Sequence, residues 1–353
     1  MLRLLLPLSW IYAAIMGIRN MLFDKGVLKQ TACGVPSICV GNLAVGGTGK
    51  TPHTEYLLHL LAEQGLRTAM LSRGYGRRTK GFIEATAAST GAEVGDEPLQ
   101  VKQKFPDTRV AVCESRVEGC ERLLQMPAGT EPQAIVLDDA YQHRYIKAGL
   151  YLLLTDYSNL FTDDCVLPAG RLRENRSGAK RADAVIVTKC PETLDEEERE
   201  GIRNKINRYS AAPVFFSSVG YGALQPGFAE TPEWQSAYGA GRVLIVCGIA
   251  RPEPFIARWQ GQAKETSVLR YPDHHAFTPE EIRQMAEAAQ EANCIVTTEK
   301  DMMRLKSLPL PYEMKKKLYY QPIEITFSNS EKQKFNNLIL NYVASYSRNR
   351  RVD

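Results

Sequence analysis

The sequence predicts an α/β protein: a doubly wound, mainly parallel sheet followed by a second, smaller α/β domain. Three observations predict it. Apolar runs of strand length recur along the first part of the chain: "SICVGN", "RTAMLSRG", "RVAVC", "AIVLDDA", "LYLLLTD" and "ADAVIVTK". Helical patterns such as "TPHTEYLLHLLAEQG" and "SRVEGCERLLQ" separate several of them, and buried strands alternating with helices make a sheet covered on both faces. After Pro213 the pattern restarts, with "GRVLIVCGIA" as strand, turn and helix and "NCIVTTEKD" as a further strand end. A chain of 353 residues is also longer than one core usually spans. The stretch "APVFFSSVGYGAL" reads as an extended ribbon between the two parts, and "GALQPGFAETPEWQSAYGAG" as loop.

The N-terminus is a separate element. "MLRLLLPLSWIYAAIMGIRNMLFDKGVLK" carries no charge between Arg3 and Arg19. The intervening stretch makes a helix of roughly 22 Å, short of the roughly 30 Å hydrocarbon core of a bilayer. From Ser9 onward it is two-sided. Ser9, Ala13, Gly17, Asn20 and Asp24 form a small or polar stripe, and Ile11, Ile15, Ile18 and Leu22 an apolar one. Arg3, Arg19, Lys25 and Lys29 are placed to face anionic headgroups. The pattern predicts a helix lying in a membrane interface rather than a span or a cleaved signal.

Composition narrows the remaining classes. Hydrophobic content of 44% and charged content of 24% are those of an ordinary folded domain. A net charge of +4 admits acidic ligands and carries no signature of nucleic-acid binding. Eight cysteines include no C-x-x-C pair, and several lie in apolar strands. They read as reduced core thiols of a cytosolic protein, with neither a disulfide frame nor a zinc site.

The most specific chemistry sits in "VGNLAVGGTGKTPHTEYL", residues 40–57. A strand runs into Gly46, Gly47, Thr48 and Gly49, then Lys50 and Thr51 open a helical pattern. Glycines let successive N–H groups turn inward, and the following helix adds its positive end. A lysine here reaches the β- and γ-phosphates and a threonine hydroxyl ligates Mg²⁺. Ala44 stands where the strict pattern has its first glycine, which the inner glycines tolerate. Val45 argues against the partitioning ATPases that carry a second lysine before the glycines. A P-loop NTPase-like fold follows, with a nucleoside triphosphate and Mg²⁺ as its ligands. "AIVLDDAYQH" then ends a buried strand with Asp138 and Asp139, the usual position of a second Mg²⁺ anchor. Adjacent side chains in extended chain face opposite ways, so one aspartate is expected at the metal and the other on a neighbouring loop. Which does which stays open. Gln142 and His143 lie just beyond.

With these motifs in view the chain resembles the tetraacyldisaccharide 4′-kinase family of lipid A biosynthesis. "VGNLAVGGTGKTP", "LSRGYGRR", "GDEP", "LDDAYQHR", "LPAGRLRE", "CGIARPEPF", "YPDHHAF" and "TTEKD" occur in the family's order, with Ala140-Tyr141 where Gly-Phe is commoner. The resemblance implies phosphorylation by MgATP of the 4′-hydroxyl of a tetraacyl glucosamine disaccharide 1-phosphate at the cytoplasmic face of the bacterial inner membrane. It implies three parts: a membrane-associating helix over 1–28, a P-loop catalytic domain over 29–212, and a smaller α/β domain over 213–353 that closes over the site. It also maps a catalytic carboxylate–histidine pair onto Asp96 and His274, with His275 left as structural.

An acidic substrate needs cations, and arginine's planar fork suits phosphate. Arg73, Arg116, Arg171 and Arg173 all lie in the quoted motifs, and Arg73, Arg116 and Arg171 are the better candidates, while Arg77 and Arg78 read as solvated surface charges. With Glu97, Gln142 and His143 they complete the expected substrate-binding set. Thr188-Lys189 in "VIVTK" lies either near the nucleotide base or at an ordinary strand end, and the ordinary end is the expectation. The main competing class is a membrane-bound nucleotide switch with no small-molecule acceptor. A second domain carrying Asp-His-His suits acceptor chemistry better.

Overall fold

The computed structural model describes residues 5–125, 127, 129–235, 241–273 and 275–349. Helix α1 (Leu6–Asp24) is followed by β1 (Ser37–Asn42), α2 (Lys50–Glu63), β2 (Thr68–Ser72), α3 (Asp96–Lys104), β3 (Arg109–Val112) and α4 (Arg116–Leu124). Next come β4 (Ala134–Asp138), β5 (Leu150–Asp156), β6 (Ala184–Thr188), α5 (Glu196–Asn207) and β7 (Val214–Tyr221). The remainder carries β8 (Arg242–Cys247), α6 (Glu253–Gln260), β9 (Glu265–Arg270), α7 (Pro279–Gln290) and β10 (Cys294–Thr298). It ends with α8 (Glu299–Leu305), β11 (Leu318–Gln321), β12 (Ile323–Phe327) and α9 (Asn329–Asn349). The residues gather into two compact units. The larger takes the described residues of 1–88, 101–219 and 325–353, and the smaller those of 89–100 and 220–324. The expected 213–353 span is thus shared between both.

The larger unit holds a nine-stranded sheet in the order β12-β7-β6-β5-β1-β4-β2-β3, with the short strand Ile83–Glu84 antiparallel at the β3 edge. From β7 to β3 the pairings are parallel. Val214–Phe216 pair with Val185–Val187, so the expected ribbon begins as a ladder strand. β1 to β4 and β6 are buried at nearly every position, as a sheet covered on both faces requires. The chain moves from β1 to one side for β2, β3 and β4, then to the other for β5, β6 and β7. The winding therefore reverses beside β1, the place where such sheets bind ligands at their carboxyl ends. Register brings those ends together, with Val40 opposite Asp138 and Asp156 opposite Thr188.

Gly41 in β1 meets the segment that leaves β4. A Cβ there would lie 2.6 Å from Tyr141 Cβ and 3.1 Å from Tyr141 N. Only glycine lets the Asp139–His143 crossing lie so close. Behind the sheet, α9 returns to the larger unit: Tyr342 Oη accepts from Ser37 N at 3.0 Å, and Tyr56 Oη donates to Asn336 Oδ1 at 2.7 Å. Of the eight cysteines, all unbridged, seven are buried, and Cys165 departs from the expectation by being exposed.

Helix α1 lies with its polar stripe on the larger unit. Ser9 Oγ accepts from Ala169 N (2.9 Å), Tyr12 Oη donates to Arg173 O (2.8 Å), and Asn20 Nδ2 donates to Glu174 Oε2 (2.7 Å). Arg144 donates to Asn20 O and pairs with Asp24 at 2.7 Å. Arg19, expected to face headgroups, turns inward instead: it donates to Gln142 O and sits over the Phe23 ring. Arg3 lies outside the described residues. The apolar stripe faces outward, with Trp10 68% exposed and Ile11, Ile15 and Ile18 between 56% and 59%. Leu22 is half-buried.

The smaller unit is a five-stranded sheet in which Gln225–Pro226 runs antiparallel to β11, and β11, β10, β8 and β9 are parallel in that order. Alternation divides its strands between two cores. Val243, Ile245 and Cys247 pack with Phe255, Ile256 and Trp259 of α6, while Leu244 and Val246 pack with Ile282 and Met285 of α7 and Met302 of α8. Thr278 caps α7 in a reciprocal box with Glu281.

Two outcomes test these contacts. Gly41→Ala forces β1 and the Tyr141 segment apart and should cost about 1–3 kcal/mol in urea unfolding. His53 in α2 is buried, and burial pushes its pKa from 6.5 down to about 4, against a smaller rise from its bond to Gly49 O. Between those values the unfolded chain holds the proton and the folded chain does not. The stabilisation is whole above the ordinary histidine range and is lost as pH falls toward 4. Melting at pH 5 should therefore come below melting at pH 7, and His53→Gln should shrink the difference.

Candidate active site

The loop between β1 and α2 carries the anion-binding geometry. Gly46 (φ 107°) and Gly49 (φ 84°) lie in the left-handed region that favours glycine. A Cβ at Gly46 or Gly47 would meet nothing within 4 Å, so the outer side of the loop is open. Thr48 N closes a tight turn on Gly46 O at 3.0 Å. Thr51, half-buried, stands in the first turn of α2.

At the end of β4 the strand breaks and the two aspartates separate. Asp138 is buried, with Oδ1 accepting from Thr54 Oγ1 and Oδ2 from Ser72 Oγ, each at 3.3 Å. Asp139 has φ 45° and turns to the loop side. Its carboxylate takes both terminal nitrogens of Arg173 (3.0 and 3.2 Å) and lies 3.7 Å from Lys50 Nζ. Burial raises the Asp139 pKa, but Lys50 and Arg173 outweigh burial and hold it below the ordinary carboxylate range. Asn42, at the end of β1, completes the group: its Oδ1 accepts from Lys50 Nζ at 3.5 Å and from Arg173 Nη2. Asn42 is not among the expected site residues, and Arg173 takes the place that the sequence reading gave to Arg171. Asn42 sits in the quoted strand end "VGN", and Arg173 lies two residues beyond Arg171 in "AGRLRE".

The segment carrying Arg173 is strapped along the loop. Val45 N donates to Arg171 O (2.8 Å) and Arg173 N to Leu43 O (2.7 Å). Glu174, buried, receives Arg181 at 2.8 and 3.0 Å and Gln142 Nε2 at 3.0 Å. Gln142 Nε2 also reaches Asn42 O at 2.8 Å. The Arg171 guanidinium pairs with Asp164 at 3.0 Å.

Of the other expected substrate residues, Arg116 is buried, and its guanidinium donates to Cys113 O (2.7 Å) and Asp138 O (3.4 Å). Arg73 is exposed and makes no hydrogen bond or ion pair among the described residues. Burial, then Arg116 and Arg73, push His143 down to about 4, so it is a neutral imidazole at neutral pH. Arg77 corrects the solvated-charge reading: its side chain is 3% exposed and pairs with Glu114 at 2.6 Å.

The end of β6 also departs from the expectation of an ordinary strand end. Thr188 Oγ1 donates to Thr48 O at 2.9 Å, and Lys189, at φ 58°, donates to Gly47 O and pairs with Asp156 at 3.0 Å. His53 Nδ1 lies 2.7 Å from Gly49 O and its Nε2 lies 3.0 Å from Ser217 Oγ.

The remaining candidates belong to the smaller unit. Asp96 and Glu97, read from sequence as loop, form the first turn of α3. Asp96 Oδ2 accepts from Arg304 Nε at 3.0 Å. Arg304 pairs also with buried Asp301 (2.9 Å), which accepts from Gly248 N at 2.8 Å. Three quoted motifs, "GDEP", "CGIA" and "TTEKD", thus meet through one arginine. Glu97 is half-buried. His275 is bound to Glu281 at 2.9 Å and stacked on Tyr271, while His274 lies outside the described residues.

Comparison with known proteins places this arrangement. The model of the tetraacyldisaccharide-1-P 4′-kinase family matches residues 1–344. The tetraacyldisaccharide 4′-kinase of Bacteroides thetaiotaomicron is 45% identical across 98% of this chain and 94% of its own length. That of Flavobacterium johnsoniae is 45% identical across 97% of each. Among solved structures, LpxK from Aquifex aeolicus in complex with ATP superposes with a TM-score of 0.76 at 29% identity, covering 97% of this chain and 99% of that one. The chain belongs to the tetraacyldisaccharide-1-P 4′-kinase family.

Proposed function

We propose that this protein transfers the γ-phosphoryl group of ATP to the 4′-hydroxyl of a tetraacyldisaccharide 1-phosphate in lipid A biosynthesis, working at the cytoplasmic face of the inner membrane. The observation that carries the reading is the match to named kinases of this type along essentially the whole chain. The glycine loop with Lys50 and the rim of charges around it support the chemistry.

Phosphoryl transfer asks the protein chiefly for positioning and for charge opposite the migrating group. The loop amides and Lys50 hold the triphosphate. Asp139 keeps Lys50 and Arg173 side by side, so two cations face the phosphates at fixed spacing. Thr51 and Asp138 offer the hard hydroxyl and carboxylate oxygens that Mg²⁺ prefers, and are the residues that would hold it. Held there, Mg²⁺ would supply positive charge opposite the charge that develops on the phosphate oxygens. Asp96 takes the proton from the sugar hydroxyl, and Arg304 Nε donates to its Oδ2. The family resemblance pairs Asp96 with His274. Arg73, with no ion pair among the described residues, suits the 1-phosphate of the substrate. Neutral His143 and Glu97 suit its hydroxyl and amide groups.

Membrane residence rests on α1. A helix that spends its polar face on protein and turns Trp10, Ile11, Ile15 and Ile18 outward matches the interfacial geometry of a monotopic enzyme whose substrate is a lipid.

Label transfer from ATP to a purified tetraacyldisaccharide 1-phosphate tests the central claim. Acceptor-independent hydrolysis alone would identify a nucleotide switch instead. Asp96→Asn should lower kcat by about 10²-fold or more and leave ATP affinity within about threefold, because binding rests on the loop. Equal losses in both would remove Asp96 from the proton-accepting role. Trp10→Glu combined with Ile15→Glu should reduce cosedimentation with anionic vesicles by about tenfold or more. Since both side chains are more than half exposed, the melting temperature should hold. Unchanged partitioning would discard the interfacial role of α1.

A further inference from the structure

We propose that Thr188, Lys189 and His53 are positioning residues for the phosphate loop, holding three successive carbonyls on one side so that the Gly49 and Lys50 N–H groups stand ready for phosphate. The inference deepens the kinase reading and rests on it for the identity of the anion.

The three carbonyls are those of Gly47, Thr48 and Gly49. Each has its own side-chain donor. Lys189 Nζ reaches Gly47 O, Thr188 Oγ1 reaches Thr48 O at 2.9 Å, and His53 Nδ1 reaches Gly49 O at 2.7 Å. Each donor is itself fixed from outside the loop. Lys189 pairs with Asp156 on β5 at 3.0 Å. The Thr188 hydroxyl also lies 3.3 Å from Thr155 O. Gly49 O can only accept, so the His53 ring is the Nδ1–H tautomer, and its Nε2 lies 3.0 Å from Ser217 Oγ of β7. The donors therefore come from the end of β6 and from the helix that the loop feeds, and their anchors from the neighbouring strands β5 and β7.

The consequence follows from the trans peptide, which carries C=O and the next N–H on opposite edges. Holding Thr48 O turns Gly49 N–H away from β6, and holding Gly49 O turns Lys50 N–H away from the His53 ring. Neither N–H has an acceptor among the described residues. Holding Gly47 O orients Thr48 N–H, which closes its turn on Gly46 O. Without these ties a glycine-rich loop flips peptides at little cost, because glycine accepts either sign of φ. A flipped peptide would present a carbonyl to the phosphates in place of a donor. Fixing the planes beforehand removes that ordering cost from nucleotide binding.

The test uses the full-length protein and two probes, ATP and inorganic tripolyphosphate, by calorimetry and competition. Thr188→Val keeps the shape of the side chain and removes its proton. It should weaken both probes by about tenfold, and Thr188→Ser should recover most of the loss. Lys189→Met should weaken both probes in the same direction. In turnover the loss should fall on KM for ATP more than on kcat. Thermal melting shows that each variant is folded. Wild-type protein that binds neither probe would overturn the kinase reading. Folded variants that bind both probes as tightly as wild type would overturn the positioning role alone. Variants that lose ATP but keep tripolyphosphate would overturn it too, showing contact with base or ribose instead.

Discussion

A carboxylate held against two cations organises the rim of the larger unit. Lys50 and Arg173 carry like charge and would separate if nothing stood between them. Asp139 stands there, within 3.0 Å of Arg173 and 3.7 Å of Lys50. Its negative charge is kept by those same cations against the effect of burial. The geometry depends on the chain turning sharply after Asp138, and that turn depends on Gly41 admitting the Tyr141 backbone against β1. A core glycine, a strand break and a charge triad are therefore one construction. Removing the carboxylate would leave two cations facing each other in a partly desolvated setting, the costly way to break such a group.

The same strap that delivers Arg173 also receives the N-terminal helix. Tyr12 bonds the Arg173 carbonyl, Asn20 bonds Glu174, and Asn175 Nδ2 donates to Ala13 O. Glu174 is in turn tied to Arg181 and Gln142. The outward apolar face of α1 and the phosphate loop are therefore separated by one hydrogen-bonded layer. Under the proposed function, an acceptor held in a lipid surface would need such closeness, because its sugar cannot travel far from its acyl chains.

Much of this was legible from the residues. Strands buried on both faces gave the parallel sheet, because uninterrupted apolar runs leave few other arrangements. Glycines followed by Lys50-Thr51 between strand and helix identified the loop. The inverted polarity of α1 could be read from Ser9, Asn20 and Asp24 on one stripe and Ile11, Ile15 and Ile18 on another. Other features had no local signal. Arg173 and Arg171 are two residues apart in the same motif, and only pairing with Leu43 and Val45 decides which guanidinium reaches Asp139. Arg19 looked like a headgroup ligand until a tertiary carbonyl claimed it. The return of α9 to the larger unit leaves no mark in the periodicity, since a helix's apolar face does not name the sheet it covers. Thr188 and Lys189 read as a plain strand end because their partners are main-chain carbonyls, which have no residue code.

Asp139 and Lys189 share one further property: both are non-glycine residues in the left-handed region, at φ 45° and 58°. For side chains other than glycine that conformation costs about 1–2 kcal/mol, and it recurs where mechanism rather than folding sets the backbone. Glycine at either position would relax the main chain and delete the charge it carries. Selection for heat resistance alone would therefore keep both side chains: the cations left facing each other beside 139 and the carboxylate left alone beside 189 outweigh the backbone relief that glycine brings.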